Sequence, residues 1–131
     1  MKSFLVLIPS KYVAIVLILI FLSFSHSVFS KESAEAEKGK ELFQSKGCVA
    51  CHTIGGGKLS GPDLQGVTER REEEWLKKWM KSPDTMVFTD PIAKEMLAEY
   101  MVPMPNQGLT DQEVSEVYSY LKFEDSKKKE K

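Results

Sequence analysis

The sequence predicts an all-α protein of short helices and long loops, organised around something other than its own side chains. Three observations carry this. From residue 33 onward, apolar residues recur at helical spacing in four segments, and no run alternates apolar with polar residues as a half-buried strand would. Long glycine- and proline-bearing stretches separate those segments. The chain has 131 residues, room for one ordinary domain, and its N-terminus reads as something else.

Lys2 and Lys11 precede "YVAIVLILIFLSF" (Tyr12 to Phe24), apolar throughout apart from Ser23. "SHSVFS" follows, with Val28 and Ser30 placed like the small residues before a signal-peptidase cut. The run is shorter than the roughly 20 apolar residues of a membrane span, which favours a cleaved signal peptide over residues 1–30. An uncleaved N-terminal anchor is the alternative, because Phe4 to Ile8 adds apolar length. Either way the remainder is expected to be exported, to the periplasm or the outer face of the cytoplasmic membrane. That remainder of 101 residues has 16 basic and 19 acidic side chains, a net charge of −3, which argues against nucleic acid as a partner.

The first helix is expected to start at Ser33, a good N-cap, with Ala36, Gly39 and Phe43 on one face. Gly47 suits a left-handed C-cap. Gly39 is costly inside a helix, about 1 kcal/mol relative to alanine, and a close helix crossing would explain it. "TIGGGKLSGPDLQGV" reads as a loop; Lys58 is followed by Leu59, so it is no phosphate loop. "TERREEEWLKKWMKSP" reads as one helix, its acids early and its lysines late, with Glu73–Lys77 and Glu74–Lys78 as i,i+4 pairs. Its apolar stripe is Trp75, Leu76, Trp79 and Met80. "PDTMVFT" reads as a loop. "DPIAKEMLAEY" is a helix with Asp90 as N-cap and Pro91 at N1, and the two prolines of "VPMPNQG" cannot continue it. Thr110 and Glu113 form a capping box, with Leu109 and Val114 as a hydrophobic staple. Val114, Val117, Tyr118 and Leu121 line the last helix's buried face, with Tyr120 at its margin. "EDSKKKEK", residues 124–131, reads as a charged disordered tail.

Between the first helix and the first loop stands "CVACH". A disulfide between Cys48 and Cys51 would close too little chain to stabilise much. A thioredoxin-like pair sits in a βαβ pattern that is missing here. A structural zinc site needs four ligands, and His26 lies in the signal segment, leaving the set one short. C-x-x-C-H as a site of covalent haem attachment fits all three residues: both thiols add to the ring's vinyl groups and His52 becomes the proximal iron ligand. Both tryptophans read first as core, but the Trp75 indole N–H is the better placed for a haem propionate. Opposite His52 the candidates are Met80, Met86, Met96, Met101 and Met104. Met80 and Met96 fit helix stripes, and Met86 lies in an expected loop with nothing rigid around it. Met104 is favoured, since Pro103 and Pro105 stiffen its loop; Met101 is the rival.

These residues resemble a class I cytochrome c over essentially the whole of residues 31–123. The resemblance rests on Gly39 and Phe43, "CVACH", "GPDL", "MP" before "LTDQEV", and "VYSYLK". It implies a cytochrome c-like fold around one covalent haem c, with the N- and C-terminal helices crossing and Tyr120 meeting Gly39 and Phe43. It implies that the Pro62 carbonyl accepts a hydrogen bond from His52, and that Met104 is the axial ligand. It also implies a monomeric electron carrier whose redox partners dock transiently at the haem edge. Two other functions stay open: the electron-transfer subunit of an exported oxidoreductase complex for nitrogen or sulfur compounds, and a haem ligand sensor.

Overall fold

The computed structural model describes residues 34–128, which belong to one compact unit, Ser33–Lys131. The signal peptide or anchor, the N-cap Ser33 and the end of the tail, 129–131, lie outside the described residues. Among the described residues every regular element is helical: α1 (34–45), a 3-10 turn (Cys48–Ala50), α2 (Val67–Arg70), α3 (Glu73–Lys81), α4 (Pro83–Thr89), α5 (Pro91–Tyr100) and α6 (Asp111–Lys128).

The first and last helices meet at Gly39. A Cβ there would lie 1.9 Å from the Glu116 carbonyl oxygen and 2.8 Å from Tyr120 Cβ, so only glycine permits this approach. One turn further on, the Phe43 and Tyr120 rings are 5.6 Å apart and tilted by 57°, an arrangement worth about 1 kcal/mol beyond its area burial. The expected face of α6 is buried, with Val114, Val117, Tyr118 and Leu121 packed beside Phe43, Val67, Leu76, Met80 and Leu109. At its start the capping box closes: Thr110 N donates to Glu113 Oε2 at 2.7 Å, and Glu113 N donates to Thr110 Oγ1 at 3.2 Å. Asp90 caps α5 through Ala93 N at 3.0 Å, and Gly47 is left-handed (φ 76°) as the end of α1 demands.

Three expectations are corrected. The helix read from "TERREEEWLKKWMKSP" is two, because Arg71 is extended (φ −136°, ψ 143°). The acids Glu73 and Glu74 then occupy the first turn of α3, where the helix dipole favours them, and Lys77 pairs with Glu73 at 2.6 Å. "PDTMVFT" is helix α4 rather than a loop. Pro83 ends α3 by denying it a backbone N–H, yet serves as N1 of α4, where no N–H is needed, and it is buried with Met86 and Val87. The tail does not begin at residue 124. Asp125 is 4% exposed and its carboxylate accepts hydrogen bonds from Gly66 N, Thr68 N (2.9 Å) and Thr68 Oγ1 (2.7 Å), so α6 continues to Lys128.

Candidate functional site

The sequence brings Cys48, Cys51 and His52 together through one tight turn. Cys51 N and His52 N both donate to the Cys48 carbonyl, at 3.1 and 3.0 Å. In 3-10 geometry positions i and i+3 eclipse each other, which sets both sulfurs on one side. Both cysteines are free thiols and half-buried, and burial pushes the Cys48 thiol above its ordinary value.

His52 is held from behind. Its Nδ1 lies 2.9 Å from the Pro62 carbonyl oxygen. A carbonyl only accepts, so Nδ1 carries the proton and the Nε2 lone pair is left available to a metal. The Pro62 carbonyl is thus the acceptor that His52 Nδ1 faces. Gly61 supplies a second constraint that spacing along the chain does not reveal. A Cβ on it would sit 2.6 Å from His52 Cε1, and its own N–H donates to the Cys51 carbonyl at 2.9 Å. Asp63 knits the loop between them by accepting from Gln65 N, Gly55 N and Gly57 N at 2.7–2.9 Å. Those N–H groups lower its carboxyl to a pKa of about 2.

These residues form one wall of a cavity of about 670 Å³, within the roughly 300–1,000 Å³ of sites for small molecules and cofactors. Cys48, Cys51, His52, Pro62, Trp75 and Met104 all line it. The rest of the wall is largely apolar: Leu64, Val67, Leu76 and Met80, with Met96 and Leu97 of α5 and Val117 and Leu121 of α6. Lys46, Lys58, Arg70 and Arg71 bring positive charge to its edge.

The five methionines separate clearly. Met86, 1% exposed, is core because its segment is helical. Met80 is buried in the α3 stripe as expected, and Met96 lines the cavity from α5. Met101 is the left-handed C-cap of α5 (φ 59°), is 80% exposed and lies outside the cavity lining. Met104 is half-buried in that lining, between Pro103 and Pro105.

The Trp75 indole N–H has a partner within the protein. Trp75 lines the cavity, but its one N–H donates to Asp90 Oδ2 at 3.1 Å, joining α3 to the cap of α5. Its ring stacks on Trp79 at 5.7 Å and 11°. The competing acceptor is legible only in three dimensions, since Asp90 lies 15 residues along the chain.

The residues present fit a covalently held haem: two reduced thiols on one turn, an imidazole with its distal nitrogen free, and apolar walls around a cofactor-sized space. Comparison with known proteins agrees. A sequence model of the cytochrome c family matches residues 36–123. One of the subunits of nitric oxide reductase from Stutzerimonas stutzeri is 28% identical over 120 residues, covering 80% of this chain and 75% of that one. Among solved structures, cytochrome c from Rhodothermus marinus superimposes with a TM-score of 0.69 at 28% identity, covering 72% of this chain and 80% of that one. The cytochrome c domain of a Pseudomonas putida protein gives a TM-score of 0.60 at 39% identity, over 67% and 88% respectively. The cofactor of such proteins is haem c, and their work is to carry electrons rather than to transform a substrate. The chain belongs to the cytochrome c family.

Proposed function

We propose that this cytochrome is a monohaem electron carrier working outside the cytoplasmic membrane. In it, Cys48 and Cys51 would hold the haem covalently, and His52 and Met104 would hold its iron. The observation that carries this reading is the convergence of those four side chains on one apolar cavity, two of them the only cysteines in the chain.

The haem supplies the one-electron chemistry when bound. The chain's own residues do the rest. The Pro62 carbonyl keeps the proton on His52 Nδ1 and fixes the ring, so the imidazole presents Nε2 in one orientation. A thioether is a soft, neutral ligand that favours the reduced iron and raises the potential. Leu64, Val67, Leu76 and Val117 exclude water from the cavity, so little solvent must reorganise when charge moves. Donors and acceptors would dock transiently on the monomer at the cavity mouth, where Ala50, Val102 and Pro103 are exposed. Export rests on residues 1–30, which as an uncleaved anchor would tether the carrier to the membrane surface. No helix among the described residues is long and apolar enough to cross a membrane.

A second reading, the electron-transfer subunit of an exported oxidoreductase complex, draws support from the similarity to part of a nitric oxide reductase. Stable co-purification with a larger redox partner would select it over a free carrier. The attachment is tested on a denaturing gel: peroxidase-active haem should stay with the wild-type band and vanish from Cys48→Ala/Cys51→Ala. A stained double variant would overturn the assignment.

A further inference from the structure

The loop that carries Met104 leaves α5 at Met101 and joins α6 at Asp111. It has no regular secondary structure, so its position depends on what it is tied to. Two ties lead to one place. Asn106 Nδ2 donates to Asp84 Oδ1 at 3.0 Å, and Lys81 Nζ donates to the Leu109 carbonyl at 2.9 Å. Lys81 ends α3 and Asp84 lies in the first turn of α4, on either side of the break at Ser82 and Pro83. That corner is anchored, with Pro83 and Met86 among the most deeply buried side chains. Asn106 uses both ends of its amide. Its Oδ1 accepts from Gly108 N at 2.9 Å, inside the loop, while its nitrogen reaches out to the carboxylate. Only one orientation of the amide satisfies both bonds, because a carboxylate cannot donate and an N–H cannot accept.

We propose that the α3–α4 corner positions the Met104 loop, with the Asp84–Asn106 hydrogen bond as the decisive tie. The inference rests on Met104 as the iron ligand and extends it to residues outside the cavity lining, since Lys81, Asp84 and Asn106 do not line it. When the loop is closed the thioether occupies the iron. A competing ligand binds only when the loop is open, so its apparent affinity scales with the open fraction. Weakening the tie should raise that fraction while leaving haem attachment untouched.

The test is carbon monoxide binding to the ferrous, haem-loaded protein, followed by rapid mixing. Asn106→Asp keeps the acceptor for Gly108 N but turns a carboxylate toward Asp84, replacing a bond with a repulsion. Adding Asp84→Asn to it exchanges donor and acceptor and restores one amide–carboxylate bond. Carbon monoxide should bind about three- to tenfold faster to Asn106→Asp than to wild type. The double variant should return to within about twofold of wild type. Glu124→Gln, which removes an exposed ion pair with Lys127 on α6, should change nothing. If Asn106→Asp does not fold, Asp84→Ala is read in its place. Met104→Ala separates the two ways of failing. If it does not speed binding, the ligand assignment falls and the proposal with it. If it does, while Asn106→Asp binds at the wild-type rate or the double variant stays fast, Met104 stands and the corner is overturned as its positioning device.

Discussion

Gly61 faces the imidazole of His52 where any side chain would collide with it, 2.6 Å from Cε1. Gly61 and the Pro62 carbonyl both crowd the Cε1–Nδ1 edge of the ring and so restrict its orientation. Gly61→Ala should displace the ring and cost about 1–3 kcal/mol, the usual range for forcing a methyl group into a packed site. Thermal unfolding of the haem-loaded variant checks the loss, and a shifted reduction potential would show that the ligand itself had moved. The covalent pattern is legible residue by residue, because C-x-x-C-H states its own geometry. Gly61 and the Trp75–Asp90 bond are not, because both depend on which atoms a loop brings alongside, and spacing along the chain does not encode that. Trp75 in particular reads as a propionate donor along the sequence, whereas the fold places Asp90 as the acceptor of its N–H.

At the scale of elements, the helices are legible wherever a cap and an apolar stripe agree, as for α5 and α6. They are missed where one residue has two meanings. Pro83 stops one helix and starts the next, and the charge-rich end of α6 hides Asp125. Its spacing of four from Leu121 continues the buried face, a periodic signal that composition masks. Asp125→Ala should strip Gly66 N and Thr68 N of their acceptor. It should destabilise the fold by about 1–3 kcal/mol, measured as a lowered denaturation midpoint. Gly39→Ala should cost a similar or larger amount, since the added methyl group meets rigid backbone at Glu116. Acid should loosen the same elements. Glu113 has a pKa of about 2 against its ordinary 4.5, the hydrogen bond from Thr110 N contributing most, and Asp63 about 2 against 3.8. Both values are lowered on folding, so their stabilisation is complete above the ordinary values and is lost as pH falls from about 4.5 toward 2. Melting temperatures recorded across that window should fall steeply in the wild type and less so in Glu113→Gln and Asp63→Asn.

At the scale of the folded unit, residues 34–128 form a shell of helices around a cavity of about 670 Å³. A small domain buries a limited share of its surface, and here the central space belongs to the cofactor. A covalent group stays with the unfolded chain as well, so it stabilises through the contacts it makes only in the native state. Chemically dehaemed protein should therefore lack a cooperative thermal transition, whereas the haem-loaded form should show one by calorimetry. The central claim is that an imidazole and a thioether, from His52 and Met104, would both hold one iron. The ferric absorption spectrum reads this directly, through the weak red-edge band that a sulfur-to-iron(III) transition produces. The band should be present in the wild type, unchanged in Met101→Ala and absent in Met104→Ala. A band that survives Met104→Ala, or one that disappears with Met101→Ala, would contradict the ligation on which the electron-carrier account stands.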